Sequence, residues 1–203
     1  MKKLFLASVA AYTIEKFISF FDIDPKKSTV AFIPTASTIY PDWNPVEDRN
    51  KLVELGFQVK DVHLENKNKT ELLQEMEGID IMFVAGGNTF YLLQEVRKSK
   101  FDEIIIELVG KGIPYIGSSA GTLLVGPSIE LALDIDDQNE ATELGSYNAL
   151  NLVDFVVLPH SDDERFQCKV DANLEKMKDI PYQTIKITDH QAVVVHGGDV
   201  QIV

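Results

Sequence analysis

The chain has 203 residues, 45% hydrophobic and 25% charged, which fits one soluble domain over 1–203, large enough to bury a core without disulfides or metals. Its single cysteine, Cys168, excludes an internal disulfide. A formal net charge of −13 with only three arginines (Arg49, Arg97, Arg165) argues against nucleic acid or an anionic membrane as partner, and leaves small molecules.

The N-terminus carries basic residues, a short apolar run and small residues, as an export signal would. Polar Thr13, Glu15 and Lys16 follow at once, so Lys3–Ser8 reads as a first buried strand and a cytoplasmic location is expected. Thr13–Phe21 reads as a helix and β-branched Ser28–Pro34 as a strand. Asn44-Pro45-Val46-Glu47 opens a helix that Gly56 ends. Phe57–Leu64 is a third strand, and Thr70 caps a short helix ending near Gly78. Ile79–Ala85 is a continuous apolar strand, followed by helices Thr89–Ser99 and Phe101–Lys111. Ile113–Ile116 is a short strand, with a helix from about Ser119. Ile129–Glu143 reads as a strand and a loop, and Leu152–Leu158 as a buried strand. Ser161-Asp162-Asp163-Glu164 reads as a capping box for a helix to about Lys178. Thr184–Thr188 is a strand, and Gly197-Gly198-Asp199 joins Ala192–His196 to Val200–Val203 in a hairpin. The chain ends inside that strand, which leaves room for a further C-terminal stretch.

Buried runs alternating with helices predict an α/β fold: a mostly parallel sheet, helices on both faces, and an antiparallel C-terminal hairpin. In such a sheet, loops at the carboxyl ends of the strands build the site. Thr35–Trp43 and Asp134–Tyr147 are the long irregular stretches available for its walls.

Gly117-Ser118-Ser119-Ala120-Gly121 fits the nucleophile-elbow pattern Gly-x-Ser-x-Gly between an apolar strand and an apolar helical segment. The turn is so tight that the serine takes strained dihedrals, and small residues two before and two after it avoid backbone clashes. The pattern without its setting is equally a small-residue turn. Gly86-Gly87-Asn88-Thr89 ends the preceding strand. Bare amides there suit an oxyanion hole made by Gly87 and Ala120, while Asn88 or Thr89 equally suits a helix N-cap. Of four histidines, His160 follows a buried strand outside the terminal hairpin region and is the candidate base. Two aspartates compete as its orienter. Asp134 gives the Ser–Asp–His chain order of α/β-hydrolases, and Asp189 ends the strand Thr184–Thr188. Asp162 is accounted for by the capping box.

Together Ala31-Phe32-Ile33-Pro34, Gly86-Gly87-Asn88-Thr89-Phe90-Tyr91-Leu92-Leu93, Tyr115-Ile116-Gly117-Ser118-Ser119-Ala120-Gly121 and Pro159-His160 resemble the peptidase E family of serine aspartyl dipeptidases. The resemblance implies a fold like that of class I glutamine amidotransferases, with Ser119 as nucleophile and His160 as base. It also implies oxyanion amides near Gly87 and Ala120. One family acid falls on Asp189 and another on Asp134. The family holds the substrate carboxylate with an arginine after the histidine, for which Arg165 is the nearest candidate; Asn88 is the other candidate substrate contact.

The expected activity is hydrolysis of small peptides, with dipeptides bearing an N-terminal acidic residue foremost. No metal or organic cofactor is implied, because no His/Cys cluster has metal spacing and no phosphate loop is present. The rival readings are a binding module that kept the fold and lost turnover, and an α/β-hydrolase-type esterase using Asp134. The sequence leaves the oligomeric state open.

Overall fold

Alternation of side chains along the strands sets the layers. The computed structural model describes residues 1–40, 46–133, 135–164, 166, 169 and 181–203. In β1 (Lys3–Ala7), Leu4 and Leu6 join one buried cluster while Phe5 and Ala7 join another on the opposite face. β2 (Thr29–Ile33) and β4 (Ile81–Val84) alternate the same way: Ala31, Ile33, Met82 and Val84 face one side, Val30, Phe32, Ile81 and Phe83 the other. The two faces need two helical layers. The second is covered by α1 (Ala10–Phe21) and α2 (Val46–Leu55), which bury Ile14, Phe17 and Leu52. The first is covered by α3 (Lys69–Glu75), α4 (Thr89–Lys98), α5 (Phe101–Gly110) and α6 (Ala120–Leu123). Full burial of a side chain such as Phe17 stabilises by roughly 1.5–3 kcal/mol.

With β3 (Gln58–Asp61), β5 (Tyr115–Ser118), β8 (Ala192–His196) and β9 (Asp199–Ile202), the main sheet has seven strands in the order β3-β2-β4-β5-β1-β8-β9. The pairs from β3 through β1 are parallel; β8 runs antiparallel to β1, and β9 to β8. This is the expected mostly parallel sheet with its closing hairpin. A separate parallel pair, β6 (Phe155–Leu158) and β7 (Gln183–Lys186), stands beside it, with Leu158 opposite Lys186.

Several local expectations shift. Asn68, not Thr70, caps α3: its side chain accepts from the amides of Thr70 and Glu71, and Glu71 reaches back to the Asn68 amide. The strand before the elbow begins at Tyr115 rather than Ile113, because the Ile113 amide still bonds Leu108 of α5. No strand forms in 129–133 or 135–143; single 3-10 turns at Glu130–Ala132 and Gln138–Glu140 take its place. The predicted cap Asn44-Pro45 and most of the helix predicted to run to Lys178 lie outside the described residues. No described helix is long and apolar enough to cross a membrane.

Candidate active site

The elbow forms where β5 hands over to α6. Ser119 sits at φ 49° and ψ −106°, a conformation that costs an L-residue roughly 1–3 kcal/mol. The surroundings impose it. A Cβ on Gly117 would lie 2.6 Å from the Gly121 carbonyl oxygen, and one on Gly121 only 2.1 Å from that of Val84. The Ser119 amide donates to Ala7 O (3.1 Å), and the Thr122 hydroxyl lies 2.7 Å from the same oxygen and 2.9 Å from Gly117 O. Buried Tyr115 donates to Gly121 O at 2.7 Å.

Parallel pairing gathers the other groups. β1 and β5 align Ala7 with Ser118, so Ser8 emerges beside Ser119. β6 and β7 end together, which brings His160 and Asp189 to one place. The Ser119 hydroxyl lies 2.9 Å from His160 Nε2, and His160 Nδ1 lies 2.6 Å from Asp189 Oδ1. Phe166 stacks on the imidazole with ring centres 5.1 Å apart. The Asp189 amide donates to Asp162 Oδ1 at 2.9 Å, a second task for an aspartate expected only as a cap. From the other side, Lys16 of α1 donates to the His190 carbonyl (3.0 Å) and Tyr12 stacks on the His190 ring. His63 and His196 have other neighbours: His63 lies near Glu65, and His196 packs against Phe20 and Phe21.

Ala120 is the first residue of α6, where backbone amides have no acceptor within the helix. Gly87 follows β4, the neighbour of β5, at φ 141°, and a Cβ there would strike Ala36 O at 2.2 Å. Only glycine lets the chain pass so close.

The candidate substrate contact Asn88 stands at the start of α4. Buried Asn88 caps α4 by accepting from the Tyr91 amide, and its amide group donates to Tyr40 Oη and Asp137 O. Both of its donor hydrogens are thus used inside the protein. Asp134 and Arg165 lie outside the described residues. Among the described residues no group of three or more His, Cys, Asp or Glu could hold a metal ion.

Three polar residues near these strand ends escaped sequence reasoning. Asp136 accepts from the Thr89 amide and hydroxyl at 2.9 and 2.6 Å, and burial pushes its carboxyl up from the ordinary value. The acidic run around Asp134 was its signal. Ser8 is fully buried between Asp189 and His160; a polar residue ending a buried strand was the one available hint. Asp48 of α2 accepts from the Ala11 amide at 2.7 Å and lies beside Ser118, the residue before the elbow serine, whose hydroxyl accepts from the Ala10 amide at 3.1 Å. Burial pushes Asp48 up to about 6.

The Asp48 shift has a stability consequence. The unfolded chain ionises Asp48 near 3.8 and the folded chain near 6, so across that window the native state holds the extra proton. Stability therefore falls as pH rises from about 4 to 6, by on the order of 3 kcal/mol in total. Asp48→Asn keeps an acceptor for Ala11 and removes the charge. Its melting temperature should exceed that of the wild type at pH 7.5, with the difference gone at pH 4. An equal shift at both pH values would mean that ionisation of Asp48 is not the cause.

A twisted α/β sheet that carries a hydrogen-bonded serine, histidine and aspartate at its strand ends has the architecture of a serine-type hydrolase. Residues 5–203 match the model of peptidase family S51. The uncharacterized peptidase Lmo0363 of Listeria monocytogenes is 34% identical over 201 residues, covering 98% of this chain and 97% of its own. A probable alpha-aspartyl dipeptidase of Drosophila melanogaster is 36% identical over 133 residues, 65% of this chain and 52% of its own. A crystal structure of a candidate peptidase E protein from Listeria monocytogenes superposes with a TM-score of 0.92 at 33% identity, covering 100% of this chain and 98% of that one. The chain belongs to peptidase family S51 and is a serine-type peptidase.

Proposed function

We propose that this peptidase cleaves small peptides, foremost dipeptides with an N-terminal acidic residue, through an acyl-enzyme on Ser119. The observation that carries the reading is the unbroken row from Ser119 Oγ through His160 to Asp189 Oδ1. His160 Nε2 takes the hydroxyl proton as Ser119 attacks the carbonyl, then gives it to the leaving amine. Asp189 keeps the other imidazole proton on Nδ1 and so fixes the tautomer. The amides of Gly87 and Ala120 meet the oxyanion. Water repeats the sequence in reverse and frees the acyl group.

A fluorophosphonate probe tests the chemistry without a known substrate. The wild type should label at Ser119, located by peptide mass mapping. A folded protein that does not label is a binding module. Turnover of nitrophenyl esters without peptide hydrolysis would favour the esterase.

Arg165 is proposed to read the acidic side chain. It is the one arginine just past His160, and a guanidinium pairs with a carboxylate through two parallel hydrogen bonds. Asp-Leu and Ala-Leu hydrolysis should be compared on wild type and Arg165→Ala. The variant should lose roughly 2–5 kcal/mol of specificity for Asp-Leu and keep its rate on Ala-Leu. Equal effects on both dipeptides would take Arg165 out of the site.

A further inference from the structure

The triad atoms do not close on themselves; a fourth side chain ties them together. Ser8, completely buried at the end of β1, donates its hydroxyl hydrogen to Asp189 Oδ1 at 2.6 Å. The same Oγ accepts the backbone amide of His160 at 2.8 Å and lies 3.2 Å from His160 Nδ1. One hydroxyl thus touches the carboxylate, the ring and the main chain of the histidine.

Two demands are met at that point. His160 stands at φ 58°, left-handed backbone that a non-glycine residue keeps only when its surroundings hold it. The Ser8 acceptor for its amide supplies one such hold. Asp189 Oδ1 is also the acceptor for the imidazole, so its position sets the ring. The Ser8 hydrogen fixes that oxygen from the strand side, and the Asp162 carboxylate fixes the Asp189 main chain from the other. Ser8 is itself anchored, because its amide bonds Gln191 O in the loop that carries Asp189, while the adjoining Ala7 carbonyl receives the Ser119 amide. The end of β1 therefore contacts the segments that carry all three catalytic candidates.

We propose that Ser8 is a positioning residue of this site: its hydroxyl orients the Asp189 carboxylate and holds the His160 backbone, so that Nε2 stays aligned with Ser119. The proposal rests on the reading of Ser119, His160 and Asp189 given above. Ser8 touches no substrate in this role, so its loss should slow the chemical step and leave binding alone.

The test uses fluorophosphonate labelling of Ser119 in the wild type and in Ser8→Ala, Ser8→Cys, Ser8→Thr, Asp189→Asn and the Ser8→Ala/Asp189→Asn double variant, with a melting curve for each. Ser8→Ala should lower the limiting labelling rate by roughly 10- to 100-fold and leave the half-saturating probe concentration unchanged. Ser8→Cys keeps the shape but supplies only a weak donor, so it should be slow as well. Ser8→Thr restores the hydroxyl and should recover most of the rate. In the Asp189→Asn background, Ser8→Ala should cost less than about threefold, because residues acting as a unit are not additive. Wild-type labelling in a folded Ser8→Cys or Ser8→Ala variant, alongside a slow Asp189→Asn, would overturn the role of Ser8 alone. So would a full Ser8→Ala loss in the Asp189→Asn background, which marks a merely structural effect. A wild type that does not label at Ser119, or an Asp189→Asn variant as fast as wild type, would overturn the triad reading and this proposal with it.

Discussion

Ser119→Ala should lower peptide turnover by on the order of 10⁴–10⁶ while the protein stays folded. The hydroxyl points at His160 and makes no cap bond to α6, so the fold does not lean on it. What holds the elbow is the main chain: the amide to Ala7 O and the glycines on either side. An alanine fits the same strained dihedrals. The measurement is the initial rate on a cleaved dipeptide beside a melting curve. A folded variant with wild-type turnover would remove the serine mechanism altogether.

Asp189→Asn should lower turnover by about 10⁴, and Asp134→Asn should leave it within a few-fold. An asparagine at 189 can turn its amide nitrogen toward Nδ1. That reverses the hydrogen bond and moves the ring proton to Nε2, where it blocks acceptance from Ser119. The backbone of Asp189 and its tie to Asp162 are untouched, so the loss would be chemical. The opposite ranking of the two variants would assign the acid to Asp134 and the Ser–Asp–His order of α/β-hydrolases.

The elbow was legible because its constraint is local: two glycines, each facing a carbonyl oxygen, flank one serine within five residues. His160 and Asp189 were legible for another local reason, since each lies just past an apolar run. Those runs are β6 and β7, which pair in parallel and end side by side. Ser8 was not legible. Its partners are 152 and 181 residues away, and no spacing rule reaches across such a gap. The Ile129–Glu143 stretch misled through its period: Ile129, Leu131 and Leu133 alternate like a strand, yet they pack around a single 3-10 turn that buries Leu131 and Ala132 together. Near the start of α3, Asn68 and Thr70 could each act as the cap, and Glu71, at the third helical position after Asn68, decides between them.

The place of β1 in the sheet carries a consequence for how the molecule comes into being. β1 is held between residues 115–118 on one side and residues 192–196 on the other. Both pairings thus join segments more than a hundred residues apart. Until residues 192–196 arrive, that edge of β1 lies open to other chains, and neither Ser8 nor Asp189 has its neighbour. Pairings this distant in sequence slow folding, since a long loop must close before any contact rewards it. Ser8 and Asp189 therefore meet only after residues 115–118 and 192–196 have both docked against β1.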